Sequence, residues 1–400
     1  MRIGISLLNL RRDMGGQYQY ALMFTQALTR SDHMNEYVVF HDSPDFSASD
    51  FKEAPKLEMV FVKDRDSKGY RARGLLRLAY VLGLGINSSF MRGKYDAMRQ
   101  ARLDLLVQPS PGAGAFFAGL PFIFSVHDLI HKDFFRPGGL FGYLIWELRL
   151  KASMRAAHAV LVDSRRFKTR LISEYGLNPD RIHVAPFRPP DYLESKVNND
   201  QLDRVRSKYH LPGRYIFYPS NLCFPKNHLG LLKSLKHLSD EKGFIANLVL
   251  VGPRDDAFEM VMTFIQEHGL QKQVKYLGYV PDGDMAPLYK LATALIFPSL
   301  LDPTCIPVIE AFSLGCPVIC SRLPGFAEQV GDAGILINTQ APSEIAEAIF
   351  VMFNNTSLRE TLIQRGYQQW QQLSNKNYGE QLYNIICEVS PKLSLDCPII

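Results

Sequence analysis

No uninterrupted apolar run of about 18 residues occurs in the 400-residue chain, so no membrane-spanning helix is expected. The N-terminal run Met-Arg-Ile-Gly-Ile-Ser-Leu-Leu is too short for a secretory signal and reads as a first buried strand. Cysteine is scarce: Cys223, Cys305, Cys316, Cys320, Cys387 and Cys397 show no paired spacing for a metal, and reduced thiols are expected. Low-complexity tracts and repeats of about 20–50 residues are absent, which sets aside disordered and solenoid classes. No aromatic stacking platform or nucleic-acid motif accompanies the mild net charge of +5, so no nucleic-acid partner is expected. What remains, with 46% hydrophobic and 21% charged residues, is the composition of a soluble cytoplasmic enzyme large enough for two domains.

The charge is uneven. Between Lys63 and Arg102 there are ten basic residues against Asp64, Asp66 and Asp96; ten minus three gives +7, so the rest of the chain is slightly acidic. Leu75, Leu76, Leu78, Ala79 and Leu82 interleave with the basic residues at roughly helical spacing. A basic amphipathic helix of this kind suits an anionic membrane surface. A solvated helix face is the alternative, and both stay open.

Short apolar runs recur along the chain. In the first half they are Arg2–Leu8, Tyr37–Phe40, Met59–Val62, Leu103–Val107, Phe122–Val126 and Ala159–Asp163; in the second, Tyr215–Tyr218, Ala246–Val251, Val274–Leu277, Ala294–Phe297, Pro317–Cys320 and Gly334–Ile337. Runs this apolar fit strands covered on both faces, and their alternation with helical patterns predicts parallel βαβ units. The proline cluster Pro186-Phe-Arg-Pro-Pro190 marks a boundary. An α/β protein of two doubly wound domains, 1–190 and 191–377, facing across a cleft, is expected, with ligands at the carboxyl ends of the strands.

Four segments carry candidate chemistry. Asp302-Pro-Thr-Cys-Ile-Pro-Val-Ile-Glu310 leaves the strand Ala294–Phe297 and enters a helix opened by Pro307. The amide groups at that helix end would receive phosphate, with one carboxylate before the helix and one about a turn inside it. That suits a nucleoside diphosphate carrying a sugar. Met14-Gly-Gly-Gln17, with Gly15 and Gly16, follows the first strand and opens a helix. Phe122-Ile-Phe-Ser-Val-His127-Asp128 ends a strand in His-Asp, with His131 read as a neighbour only. Ser220-Asn-Leu-Cys-Phe-Pro-Lys226-Asn227 follows the first strand of the second half, where a lysine can stabilise a leaving diphosphate.

These segments, in this order, resemble the retaining family 4 glycosyltransferases of the GT-B fold. Asp302 and Glu310 match the family's E-x7-E motif, with Asp in the first place. Val126-His127-Asp128-Leu129 matches its V-H-D-L segment, and Lys226-Asn227 the end of its G-R-x4-K-N pattern. Ser220 and Asn221 stand where glycine and arginine are usual, and Cys305 where glycine is usual. Tyr276-Leu-Gly278-Tyr279-Val280-Pro281 and Gly325-Phe-Ala-Glu328 resemble two further segments.

The resemblance implies two Rossmann-like domains, the first on the acceptor side and the second holding the nucleotide sugar, with a last helix, Tyr378–Val389 within 378–400, crossing back to the first. It implies that Glu310 binds ribose and Asp302 the sugar hydroxyls. It places the amides of Cys305 and Ile306 against phosphate, backbone groups of Tyr279 and Val280 against the base, and Asn221 and the Gly15–Gly16 loop near the diphosphate. His127 would contact the sugar, Asp128 would anchor the loop or the histidine, and Lys226 would stabilise the departing diphosphate. The donor would be GDP-mannose or a UDP-sugar, the acceptor a glycan or lipid-linked saccharide, and no metal or other cofactor would be needed. A nucleotide-sugar epimerase of the same fold, or a non-catalytic partner subunit, stays open as an alternative, whereas a phosphorylase would need a pyridoxal-binding lysine that the sequence does not offer.

If the basic segment meets a membrane, replacing Arg71, Arg73 and Arg77 with Gln should sharply reduce sedimentation with anionic vesicles at low salt. Each lost cation removes on the order of 1 kcal/mol of surface attraction. Wild-type protein that ignores anionic vesicles would leave the segment a solvated face.

Overall fold

The computed structural model describes residues 1–54, 56–63, 94–111, 114–133, 139–186, 197–301, 305–374 and 378–390. Asp302 and residues 64–93, which hold most of the basic segment, lie outside the described residues. The chain divides into two compact units, Met1–Phe187 with Asn377–Ile400, and Arg188–Lys376. The passage between them falls inside the Pro186–Pro190 cluster, where proline removes backbone donors.

The first unit is built on β1 (Arg2–Ser6), β2 (Glu36–His41), β3 (Leu57–Phe61), β4 (Leu105–Gln108), β5 (Phe122–Ser125), β6 (Ala159–Val162) and β7 (Ile182–Val184). They form one parallel sheet in the order β3-β2-β1-β4-β5-β6-β7. The second unit uses β8 (Ile216–Pro219), β9 (Leu248–Val251), β10 (Val274–Tyr276), β11 (Ala294–Phe297), β12 (Val318–Ser321) and β13 (Gly334–Ile337). Its parallel sheet runs β10-β9-β8-β11-β12-β13. Parallel neighbours need long crossovers, which helices such as Gly16–Ser31 and His228–Lys242 supply.

The interior strands β4, β5, β6, β8, β9, β11 and β12 are buried along their whole length. That is why their sequences are continuous apolar runs without alternation. Edge strands β3, β7, β10 and β13 are only partly covered. In both sheets the winding direction reverses, between β1 and β4 and between β8 and β11. Loops leave the sheet in opposite senses there, and a crevice opens at the carboxyl ends of those strands.

The helix Tyr378–Val389 returns to the first unit and packs on the Gly16–Ser31 helix. The approach is close enough that a Cβ on Gly379 would lie 2.1 Å from the Ala27 carbonyl oxygen. Gln381 Nε2 then donates to the Val184 carbonyl at the end of β7 (2.7 Å). Among the described residues no helix is long and apolar enough to cross a membrane. Arg99, inside the basic segment, is already engaged with Asp96 and with the Phe117 and Ala118 carbonyls.

One buried carboxylate ties the second unit together. Asp284 accepts from Arg204 (2.7 Å), Lys208 (2.6 Å) and the Tyr209 hydroxyl (2.7 Å), joining the helices Asn199–Lys208 and Asp282–Leu291. Burial alone would raise its pKa, but the donors of Lys208 and Tyr209 and the charge of Arg204 outweigh it and hold the carboxyl below its ordinary value. Because the folded pKa is depressed, the stabilisation is present above the ordinary carboxylate pKa, about 4, and fades as pH falls through the folded value. Asp284→Asn should cost about 1.5–3 kcal/mol near neutral pH, the range for hydrogen bonds to a charged group. In urea titrations the gap between variant and wild type should close on acidification. A gap independent of pH would show that the charge of Asp284 contributes nothing.

Candidate active site

At the reversal point of the second sheet, the loops after β8 and β11 are stitched together. Leu300 N donates to the Pro225 carbonyl (2.8 Å), Ser299 Oγ reaches the same carbonyl (3.1 Å), and Asn227 Nδ2 donates to the Pro298 and Thr339 carbonyls (3.1 Å each). Asn227 holds a left-handed backbone, which Asn tolerates better than most residues. Lys226 lies in this loop with Nζ 5.4 Å from the ring centroid of Phe297, the last residue of β11. The next residue, His228, is buried against the Tyr218 ring with neither ring nitrogen hydrogen-bonded. Burial first, and then the charge of Lys226, push its pKa down to about 3, so it is neutral. Asn221 does not turn to the same point by its amide donor: its Nδ2 is bonded to Asp255 (2.8 Å).

The helix Ile306–Leu314 starts at the other side of this reversal, after β11. Cys305 caps it in the left-handed region, with φ 49° and ψ 28°, and its carbonyl accepts from Val308 and Ile309. Pro307 has no N–H, so the amide donors at this helix end are those of Cys305 and Ile306. One turn in, Glu310 is buried and accepts the Tyr289 hydroxyl at 2.6 Å. Tyr289 comes from the helix Asp282–Leu291 and is itself fully buried, edge-on to Phe217. Tyr279 is exposed and Val280 buried, on the loop between β10 and that helix. The structure therefore brings Lys226, Cys305, Ile306 and Glu310 to the ends of the two strands that flank the reversal, while Tyr279 and Val280 follow the edge strand β10.

In the first unit, Gly15 precedes the Gly16–Ser31 helix with φ 62° and ψ −120°, a conformation suited to glycine. His127 follows β5. Because β5 and β6 are parallel with Ser125 opposite Leu161, two further steps on each chain set His127 beside Asp163. The contact is Nδ1 to Oδ2, 3.0 Å, between two buried side chains. Strand register thus gives the histidine a partner, Asp163, that stands apart from the adjacent Asp128 read from the sequence as anchor of the loop or the histidine. Burial disfavours the imidazolium, but the charge and hydrogen bond of Asp163, aided by Asp128 and the Pro109 carbonyl, hold the His127 pKa above its ordinary value. His131 Nε2 is hydrogen-bonded to Glu147 (2.6 Å). Among the described residues no group of three or more His, Cys, Asp or Glu could hold a metal.

Two partners of site residues, Asp163 and Tyr289, have no motif of their own. Asp163 had one readable sign, an acid placed directly after an apolar strand, as His127 nearly is. Tyr289 had none.

Residues 201–369 match the family model described as Glycosyl transferases group 1, and residues 14–186 that described as Glycosyltransferase Family 4. O-antigen chain mannosyltransferase B of Escherichia coli is 29% identical over 240 residues, 60% of this chain and 62% of that protein. O-antigen chain mannosyltransferase RfbU of Salmonella typhimurium is 26% identical over 215 residues, 54% and 56% of the two chains. The chain thus spans less than two thirds of the length of these curated relatives. Among solved structures, Anabaena Alr3699/HepE in complex with UDP and glucose superposes with a TM-score of 0.72 at 18% identity, covering 97% of this chain and all 100% of that one. WaaG, a glycosyltransferase involved in lipopolysaccharide biosynthesis, gives 0.71 at 15% identity over 96% and 99%. These likenesses show the fold, the GT-B architecture of two parallel sheets.

The Tyr289–Glu310 contact can be tested by a double-mutant cycle. Tyr289→Phe removes only the hydroxyl and should cost about 1.5–3 kcal/mol, because a buried carboxylate loses a donor. Combined with Glu310→Gln, the two losses should fall short of additivity, since they share one hydrogen bond. Additive losses in urea unfolding would show that the pair is not coupled.

Proposed function

The chain belongs to the glycosyltransferases of group 1 and family 4, and from that premise we propose that it is a retaining hexosyltransferase. It moves a sugar from a nucleoside diphosphate sugar to a glycan or lipid-linked saccharide in the assembly of a surface polysaccharide. The observation that carries this reading is the set at the ends of β8 and β11: a lysine, a helix start, and a buried carboxylate one turn inside that helix.

In this reading the second unit holds the nucleotide. Glu310 accepts from the ribose hydroxyls, Cys305 and Ile306 donate amides to phosphate, and Tyr279 and Val280 line the base. Asn221 lies near the diphosphate without a charge of its own. When the bond from the anomeric carbon to the diphosphate breaks, negative charge grows on the leaving oxygen. Lys226 and the positive end of the helix meet that charge, so the reaction is proposed to run without a divalent metal. The acceptor hydroxyl attacks on the face the diphosphate leaves, through an oxocarbenium-like transition state, and gives its proton to the departing oxygen. Asp302 holds sugar hydroxyls, His127 of the first unit recognises a further one, and the Gly15–Gly16 loop approaches diphosphate and acceptor. The donor in this reading is GDP-mannose or a UDP-sugar, and the relatives named as mannosyltransferases support a mannose donor. We place the protein in the cytoplasm, peripheral to the membrane that presents a lipid-linked acceptor.

Thermal shift across nucleotide sugars identifies the donor, since a ligand that binds only the folded state stabilises it by mass action. Lys226→Ala should then lower kcat with little change in the donor KM, because the lost interaction strengthens only as the bond breaks. Turnover should also survive EDTA. A panel with no stabilising donor, or no transfer by wild type, would favour the non-catalytic alternative.

A further inference from the structure

His127 is held by more than its sequence neighbours. Asp163, the residue after β6, takes the Nδ1 side of the ring at 3.0 Å. The Tyr20 ring packs edge-on against the imidazole, with centroids 4.1 Å apart. The Tyr20 hydroxyl lies 3.4 Å from Ser125 Oγ and 3.3 Å from the hydroxyl of Tyr378 on the returning C-terminal helix. All these side chains are buried. Nε2, although buried, makes no hydrogen bond of proper geometry, the nearby Pro109 carbonyl acting on the ring only through its polarity. A buried polar atom left unpaired costs free energy, and completion by a ligand is one reason for it to persist.

We propose that Asp163 is the positioning residue of the histidine: it accepts the Nδ1–H hydrogen bond, fixes the ring plane together with Tyr20, and so commits Nε2 to a ligand hydroxyl or phosphate oxygen. The step from ligand to donor sugar rests on the glycosyltransferase reading; the pairing itself does not. With Nδ1–H given to Asp163, a neutral ring offers Nε2 only as an acceptor, and a protonated ring offers Nε2–H as a donor. The charged and titratable groups facing the ring are Asp163 and Asp128, with Tyr20 and, beyond it, Tyr378; both tyrosines stay neutral because burial raises their pKa. The net field of the two carboxylates favours the protonated donor.

Nitrogen-15 NMR of the wild-type protein, labelled at histidine and without substrate, reads the tautomer directly. The proton should reside on Nδ1 in the neutral form, with Nε2 as the titrating nitrogen; the opposite tautomer overturns the proposal without any variant having to fold. Asp163→Asn should move the His127 titration to lower pH by about one unit or more, the scale of a lost opposite charge at this range. An unmoved titration overturns the proposal as well. In turnover, the alkaline fall of kcat/KM should move the same way in Asp163→Asn, since the donor form is then lost at lower pH. If the NMR results hold while the profile stays fixed, the positioning role of Asp163 stands and the sugar-binding role of His127 fails.

Discussion

A parallel sheet covered by helices on both faces has no wet side, and this constraint organises each unit of the chain. Residues inside β4, β5, β6, β8, β9, β11 and β12 face packed side chains above and below. Polar groups are therefore expelled to the strand ends. At the carboxyl ends the chain turns from strand into loop and then into a helix start, so loop side chains and helix amides collect on one edge. His127, Asp163, Lys226 and the start of the Ile306–Leu314 helix all stand on such an edge. Their neighbourhood follows from parallel register more than from closeness in sequence, as the thirty-six positions between His127 and Asp163 illustrate.

The buried charges divide by what surrounds them. Asp284 receives three donors and is enclosed by groups of its own unit, which is the pattern of a structural clamp. His127 keeps an unpaired Nε2, and His228 keeps both ring nitrogens unpaired while its pKa is driven down to about 3. A fold that satisfies Asp284 so fully could satisfy these histidines too. For His127, beside a loop at a strand end, an incomplete ring nitrogen is the pattern of a site that a ligand finishes, whereas His228 is packed as a neutral ring on Tyr218.

Most of the fold could be read from the chain because fully buried strands announce themselves as apolar runs. Each of β8 to β13 falls on such a run, and so do β1 to β6. The exception is β7, the three residues Ile182-His-Val184: an edge strand this short, with a histidine in it, carries too little apolar signal. The helix Tyr378–Val389 was visible, but its seat on the first unit depends on Gly379, whose missing side chain lets two helices touch. Candidate residues could be picked from the sequence where residue types carry chemistry of their own, as at Lys226 and Glu310. The site was not legible where a partner is chosen by register or packing. Asp163 meets His127 across strands, and Tyr289 meets Glu310 across helices, so neither leaves a spacing to find.

Two departures from the family pattern bear on how charge is handled at the second reversal point. Cys305 stands where glycine is usual, yet it keeps the left-handed backbone with φ 49°, at a cost of roughly 1–2 kcal/mol for a residue with a Cβ. The helix start that glycine would give is preserved, so this substitution does not argue for a lost site. Asn221 is different. It stands where arginine is usual, brings no positive charge, and its amide is spent on Asp255. Neighbouring Arg254 lies over the Phe258 ring, 4.5 Å from its centroid. In the proposed reaction the burden of neutralising a diphosphate would then fall on Lys226, whose Nζ lies 5.4 Å from the Phe297 ring centroid, and on the helix terminus. A helix end contributes about half an elementary charge, well short of the second cation that the usual arginine provides. The transition state, where that charge is greatest, should therefore depend on Lys226 more steeply here than in relatives that carry the pair.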